Sequence, residues 1–149
     1  YNITGEYTKK TRDIHFIKGD LKQAVASNRY EAEVSGIVHT FSDLEQVQVS
    51  TGRDDRNVFS SYYISMADDE TISFKFKDGV FRNSITKTEV KSIADGVKDH
   101  VKAVFSWESD KFVEIDACAN TAALEDVELR HSYQISNGNN PDVIIIGTE

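Results

Sequence analysis

The amino-acid sequence predicts an all-β fold, an antiparallel β-sandwich with one or two short helices. Apolar and polar residues alternate in many short segments, which places successive side chains on opposite faces of a sheet. Turn residues separate these segments roughly every eight to twelve residues, a spacing typical of sandwiches and barrels. Helix-like segments are scarce and short: Leu21 to Ser27, Glu89 to Ala94, and Thr121 to Glu125.

The first half of the chain contains four strand candidates. Each carries β-branched or aromatic residues between polar breaks, a composition that favours strands. They are Ile14 to Ile17, Tyr30 to Phe41, Val47 to Val49, and Phe59 to Met66. We therefore expect this half to supply several strands of the sandwich.

The clearest strand signal lies between Ile72 and Lys77, where three apolar residues alternate with a serine and two lysines. The dipeptide Asp78-Gly79 follows, and it favours a tight hairpin turn. The chain then resumes a strand pattern from Val80 to Arg82. This stretch predicts a hairpin.

A second hairpin is predicted further along the chain. Val101 to Trp107 alternates, Glu108 to Lys111 is a short polar turn, and Phe112 to Asp116 alternates again. The row from Val127 to Ile135 and the apolar run from Val143 to Ile146 complete the expected strands.

The sequence is expected to form a single domain over residues 1–149. Its length suits one hydrophobic core, and one proline with no Gly/Pro-rich linker marks no domain boundary. The chain begins at Tyr1 rather than Met and ends just after an apolar run. We therefore expect a β-sandwich domain excised from a larger protein.

Composition excludes some classes of binding partner. Twenty-five acidic against seventeen basic residues give a net charge of −8, so no nucleic-acid partner is expected. There is no run of about 18 apolar residues, so no membrane insertion is expected. The lone Cys118 cannot form an internal disulfide or a zinc framework, which leaves open a reducing interior, a bacterial surface or a virion.

Several features between Asp43 and Ile146 occur in a characteristic order. A strand is followed by acidic residues and a second strand ending in Asp-Gly (62–79), then by a strand with a terminal tryptophan (100–107), a further strand (112–116) and a final Ile-Ile-Gly (145–147). In this order they resemble the concanavalin-like jelly-roll group, which includes laminin-G-like domains, pentraxins and the lectin-like modules attached to bacterial sialidases. The resemblance implies a jelly roll of two antiparallel sheets, a face or rim that binds glycan, sometimes calcium at the rim, and no catalysis.

No motif marks a catalytic or metal centre. The pairs Glu114 with Asp116 and Glu31 with Glu33 would each share one strand face, and carboxylate pairs are what glycoside hydrolysis requires. A solvated strand face explains them more simply. The four histidines are scattered, without metal spacing, and there is no Gly-x-Ser-x-Gly. No catalytic and no metal-binding residues are therefore expected.

Hard oxygen ligands suited to calcium occur at three predicted loops. These are Asp54-Asp55, Asp68-Asp69-Glu70, and Asn139-Asn140 with Asp142. Turn formation explains the same residues without an ion. We therefore expect no cofactor, with calcium as the alternative.

The outward-facing rows of the predicted sheets supply candidate ligand-binding residues. If Ile64 and Met66 face the core, Tyr63 faces outward, and the same alternation turns Arg130 and Gln134 outward. A tyrosine plane with fixed amide and guanidinium groups suits a sugar. The charged loop from Thr51 to Asn57 is a predicted hairpin tip, where binding residues often lie. The candidates are Gln48, Arg53, Arg56, Tyr63, Arg82, Arg130 and Gln134.

Together these observations predict a non-catalytic, carbohydrate-binding, lectin-like recognition module. Its partner would be a glycan or a cell-surface receptor, outside the cell or on a virion surface. The alternative is a receptor-binding or structural domain of a phage tail, viral fibre or other surface assembly, with homo-oligomers formed through the parent assembly. A third interpretation is a glycoside hydrolase domain.

Overall fold

The structure is a computed structural model that describes residues 13–136. In this part of the chain, helices and strands follow in the order α1 (Ile14–Glu33), β1 (Ile37–Thr40), β2 (Gln46–Val49), α2 (Val58–Ser65), β3 (Thr71–Lys75), β4 (Phe81–Thr86), α3 (Lys87–Ala117), α4 (Thr121–Glu125) and α5 (Ser132–Ser136). The predicted strand from Val143 to Ile146 lies outside the described residues.

The predicted all-β sandwich is wrong. The described residues are mostly helical, at 56%, and their strands form two small antiparallel sheets, β1–β2 and β3–β4. A jelly roll needs two multi-stranded sheets packed face to face. Two separate two-stranded hairpins do not provide them, so the resemblance to the concanavalin-like group is wrong as well.

The helix α1 replaces the first strand candidates. Asp13 caps its start, because the His15 N–H donates to Asp13 Oδ1 at 2.9 Å. Buried residues then recur three or four positions apart, the spacing of one helical face. They are Leu21, Val25, Asn28 and Ala32. The segment from Ile14 to Ile17 and the start of the segment from Tyr30 to Phe41 are therefore helical, and only Ile37–Thr40 is a strand.

The helix α3 runs through the whole of the predicted second hairpin. It begins with a capping box in which the Glu89 N–H donates to Thr86 Oγ1 and the Thr86 N–H donates to Glu89 Oε1, both at 3.2 Å. Its buried residues have helical spacing: Val90, Ile93, Val97, Val104 and Ile115. The strands predicted at Val101 to Trp107 and Phe112 to Asp116 are wrong, since their alternation coincides with this helical repeat.

Two further strand predictions are also wrong. The helix α2 covers the segment from Phe59 to Met66 except its last residue. The row from Val127 to Ile135 is an irregular segment followed by α5. Composition and alternation predict a strand in both segments, but neither signal excludes a helix or an irregular segment.

Other predictions are confirmed. The β3–β4 hairpin forms at the predicted place, and its turn residue Gly79 has a φ of 87°. Val47 to Val49 lies in β2, and the short helix predicted from Thr121 to Glu125 is α4.

The described residues form two compact units. The hairpin unit, Glu31–Phe105, has a core that includes Phe41, Val49, Phe59, Phe76 and Ile93. The terminal unit comprises residues 13–30 and 106–136, and its core consists of Leu21, Val25, Ile115, Leu124, Val127 and Leu129. Excision of a single domain from a larger protein stays a prediction. Among the described helices, none is long and apolar enough to cross a membrane.

Candidate functional site

A groove of about 530 Å³ lies on the hairpin unit between α2 and α3. One wall comes from α2 and the two residues before it, and the other comes from α3 between Lys91 and Lys102. We call this feature the α2–α3 groove. It brings together apolar and cationic side chains that lie about forty residues apart in sequence.

The lining of the α2–α3 groove is mostly apolar. Phe59 on α2 and Met66 just after it are buried in the core and Tyr63 packs against it, so the opposite face of α2 carries Ile64. Ile64 is 83% exposed. Val97 and Val101 contribute the apolar surface of the α3 wall. Together with this apolar lining, Ile64 forms a contiguous apolar patch, which is typical of an interaction site.

The rim of the groove is cationic. Four basic residues line it, Arg56, Lys91, Lys98 and Lys102, against the single carboxylate of Asp95. Lys91 Nζ lies 2.7 Å from Asp95 Oδ2, and this hydrogen bond lowers the pKa of Asp95 below its usual value. Among the described residues, no carboxylate forms a salt bridge with Lys98 or Lys102, although Lys98 lies near enough to Asp95 to lower the pKa of that carboxyl further. Since Arg56 is bound to Glu33 and Lys91 to Asp95, Lys98 and Lys102 make the rim locally positive on a chain whose net charge is −8.

Tyr63 lies at one end of this rim. The ammonium groups of Lys87 and Lys91 lie 5.1 and 6.0 Å from the centre of its ring, within the range of cation–π attraction. The tyrosine therefore holds lysines beside the groove. This role differs from the exposed sugar-stacking plane that the sequence predicted.

Arg53 and Arg56 bind the carboxylate of Glu33, which is fully buried at the end of α1. Arg53 Nε and Nη2 donate to the two Glu33 oxygens at 2.9 and 3.1 Å, and Arg56 Nη2 donates to Oε2. Thr51 Oγ1 donates to the Glu33 carbonyl at 2.7 Å. The loop predicted as a free hairpin tip is thus fastened to α1, and it positions Arg56 at the groove.

Gln48 and Arg82 lie elsewhere on the hairpin unit. Gln48 is exposed on β2 and lines a second depression, of about 400 Å³, with Phe59 and Phe74 beneath it. Arg82 Nη1 donates to Glu45 at 2.6 Å and to Asp43 at 2.9 Å. The hydrogen bond to Glu45 raises the pKa of Arg82, so this guanidinium stays charged and clamps β4 to the β1–β2 loop.

Arg130 and Gln134 belong to the terminal unit. Arg130 makes two hydrogen bonds to the Glu128 carboxylate, both at 2.9 Å. Gln134 is 1% exposed, and its amide donates to the Asn28 carbonyl at 2.8 Å. The outward orientation predicted for Gln134 is therefore wrong. Of the seven candidates, the groove unites Arg56 and Tyr63.

The two candidate carboxylate pairs do not have the shared face that the sequence predicts for them. Glu114 and Asp116 lie on α3, and Glu31 and Glu33 lie on α1. Residues two apart on a helix do not face each other, so neither pair shares a face. Asp116 instead binds Lys22 at 2.7 Å.

The structure also describes two of the three loops proposed for calcium. Asp68 pairs with Lys87 at 3.2 Å, Glu70 Oε1 accepts the Ala67 N–H, and Asp55 Oδ2 accepts the Ser50 hydroxyl. Within residues 13–136, no group of three or more His, Cys, Asp or Glu side chains is arranged to hold a metal. Asn139, Asn140 and Asp142 lie outside the described residues. Calcium binding stays a prediction.

Sequence reasoning did not identify the other groove residues as binding residues, among them Ile64, Lys91, Lys98 and Lys102. The signal was present but depended on assigning a helix. Once residues 87–117 are treated as helical, Lys91, Lys98 and Lys102 are spaced by seven and four and share one face. The capping box at Thr86 and Glu89 marks the start of that helix.

Comparison with known proteins identifies a family and assigns no function. No curated protein and no solved structure matches the chain. Residues 17–129 match the family described as "Domain of unknown function (DUF4376)". This match covers well over half of the chain, so the chain belongs to the DUF4376 family.

Proposed function

We propose that this domain is a non-catalytic docking module whose α2–α3 groove binds an acidic segment of another polypeptide. One observation carries the proposal: Ile64, 83% exposed, lines an apolar groove whose rim includes Lys98 and Lys102, and neither lysine forms a salt bridge with a carboxylate among the described residues. An apolar centre with a charged rim is the usual anatomy of a protein interface. Carboxylates on the partner would complement the rim.

The expectation of carbohydrate binding is not carried forward, because it rested on the outer face of a sandwich. Three of its arginines, Arg53, Arg82 and Arg130, are engaged in ion pairs with carboxylates of their own unit. Recognition without catalysis is retained from the sequence analysis. Its partner changes from a glycan to a protein, in keeping with the receptor-binding or assembly alternative.

A peptide-display selection on the immobilised chain tests this proposal. We expect the enriched peptides to combine apolar residues with Asp or Glu, and to bind Ile64→Ser at least about tenfold more weakly than the parent chain. Ile135→Ser is the matched control, because Ile135 is 46% exposed on the terminal unit. No enrichment, or equal binding to Ile64→Ser and the parent, would contradict the proposal.

A further inference from the structure

We infer that the segment bound in the α2–α3 groove is an amphipathic α-helix with acidic flanks. This inference rests on the proposed docking function and specifies the conformation and charge of the partner. It is carried by three properties of the groove: the nature of its walls, its length and its charge.

Both walls of the groove are formed mainly by helices, α2 and the part of α3 from Lys91 to Lys102. A helix satisfies its backbone N–H and C=O groups internally, so these walls offer no strand edge to an incoming chain. An extended segment pressed into the groove would bury backbone groups without partners, which is costly. A helical segment brings its own hydrogen bonds and avoids that cost.

The length of the groove suits a short helix. From Lys91 to Lys102, α3 rises about 16 Å, or roughly three helical turns. A partner helix with apolar residues at positions i, i+4 and i+7 presents them over about 10 Å on one face. Such a face matches the apolar part of the groove lining, to which Ile64, Val97 and Val101 contribute.

The positive charge of the rim favours a partner helix with acidic flanks. Lys98 and Lys102 lie one turn apart and are both exposed, whereas Lys91 is already bound to Asp95. A partner with carboxylates beside its apolar stripe would pair with Lys98 and Lys102, and a basic partner would be repelled. The negative charge of the rest of the chain acts weakly here, because salt screens charges beyond about 8 Å.

The test uses the whole chain and a designed panel of peptides about four helical turns long. Each acidic amphipathic peptide places its leucines in one of several helical registers. Each has two counterparts, one with proline at its centre and one with lysine in place of every glutamate. Fluorescence anisotropy gives the dissociation constants. We expect the acidic helical peptides to bind at least about tenfold more tightly than either counterpart.

Matched variants locate the binding. Lys98→Glu/Lys102→Glu should abolish the preference for acidic over basic peptides. Lys75→Glu/Lys77→Glu should preserve it, because both lysines are exposed, one at the end of β3 and one two residues beyond, and neither lines the α2–α3 groove. Helical circular dichroism should increase when the acidic peptide binds.

Three outcomes would overturn the inference. Proline counterparts that bind as tightly as the helical peptides would show an extended partner, while docking itself would stand. Binding of the lysine peptides would refute the charge assignment. If no acidic helical peptide binds, the inference of a helical partner is refuted. The display selection would then decide separately whether the groove binds any polypeptide.

Discussion

Replacing Glu33 by glutamine tests what holds the hairpin unit together. The Glu33 side chain is 1% exposed, and its carboxylate accepts hydrogen bonds from Arg53 and Arg56. It also ends α1, where the helix dipole disfavours a negative charge. The two arginines therefore supply the compensation. Glutamine keeps the size of the side chain and removes its charge.

The expected loss follows from the exposure of the two arginines. Removing one member of a buried ion pair costs about 3–5 kcal/mol. The Arg53 side chain is 58% exposed and can turn into water, whereas that of Arg56 is 18% exposed and stays largely buried. Both arginines lose the Glu33 charge, but only Arg56 stays largely buried without it. We therefore expect Glu33→Gln to cost about 3 kcal/mol, the lower end of that range. Arg53→Met should cost less than about 1 kcal/mol.

Urea unfolding measures this loss. With a denaturant slope of about 1.5 kcal/mol per molar, a loss of about 3 kcal/mol lowers the midpoint by about 2 M at unchanged slope. The control is Glu114→Gln, since Glu114 is 49% exposed and pairs with Lys111 on the surface. If Glu33→Gln unfolds at the midpoint of this control, or if Arg53→Met costs as much as Arg56→Met, the reasoning is refuted.

Further predictions concern a helix cap, a histidine and two glycines. Thr86→Ala removes the hydroxyl that accepts the Glu89 N–H, leaves the Thr86 N–H donating to Glu89, and should cost about 1 kcal/mol in thermal unfolding; an unchanged transition would show that the side-chain cap is dispensable. Burial lowers the pKa of His39 below its unfolded value of 6.5, so its neutral form stabilises the fold above that pH, and stability should fall as the pH decreases below about 6.5. His39→Asn should flatten this dependence in urea midpoints measured between about pH 5 and 8, and an unaltered slope would contradict the assignment. Gly36 and Gly79 both have positive φ, 92° and 87°, but an added Cβ would lie 3.0 Å from a backbone carbonyl at Gly36 and meet nothing within 4 Å at Gly79. Alanine should therefore cost about 1 kcal/mol at Gly79 and more at Gly36, and equal losses would argue against the steric contact.

The β3–β4 hairpin was predicted correctly because its signals are local. Gly79 adopts the positive φ that the turn requires, and the Val80 N–H donates to Asp78 Oδ1 at 3.3 Å. Each strand of the hairpin pairs with the strand next to it in sequence, β3 with β4. Such a feature depends little on the rest of the fold.

The long helix α3 was not predicted, because its sequence fits two periods. Val101 to Trp107 alternates, yet Val97, Val101 and Val104 also follow helical spacing. Alternation describes which side chains point together in a strand, and it does not show that a neighbouring strand exists to pair with them. Within the described residues, packing against the hairpins supports the helical repeat through Val90, Ile93 and Val97.

The candidate site was found only in part for the same reason. The sequence predicts Arg56 and Tyr63 as binding residues, Arg56 on a hairpin tip and Tyr63 on a sandwich face that does not exist, and both line the groove. Lys98 and Lys102 belong to the same surface only when α3 is a helix. The error in secondary structure therefore became an error in the composition of the site.

Composition and adjacent residues specify the net charge of −8, a single cysteine without an internal disulfide partner, and the turn at Asp78 and Gly79. Which charges are buried and which are exposed depends on contacts between residues distant in sequence. Glu33 is buried because Arg53 and Arg56, twenty and twenty-three residues away, reach its carboxylate, while Lys98 and Lys102 are left exposed beside Ile64. Burial and pairing are free-energy differences set by distant neighbours, and no local pattern of residues specifies them.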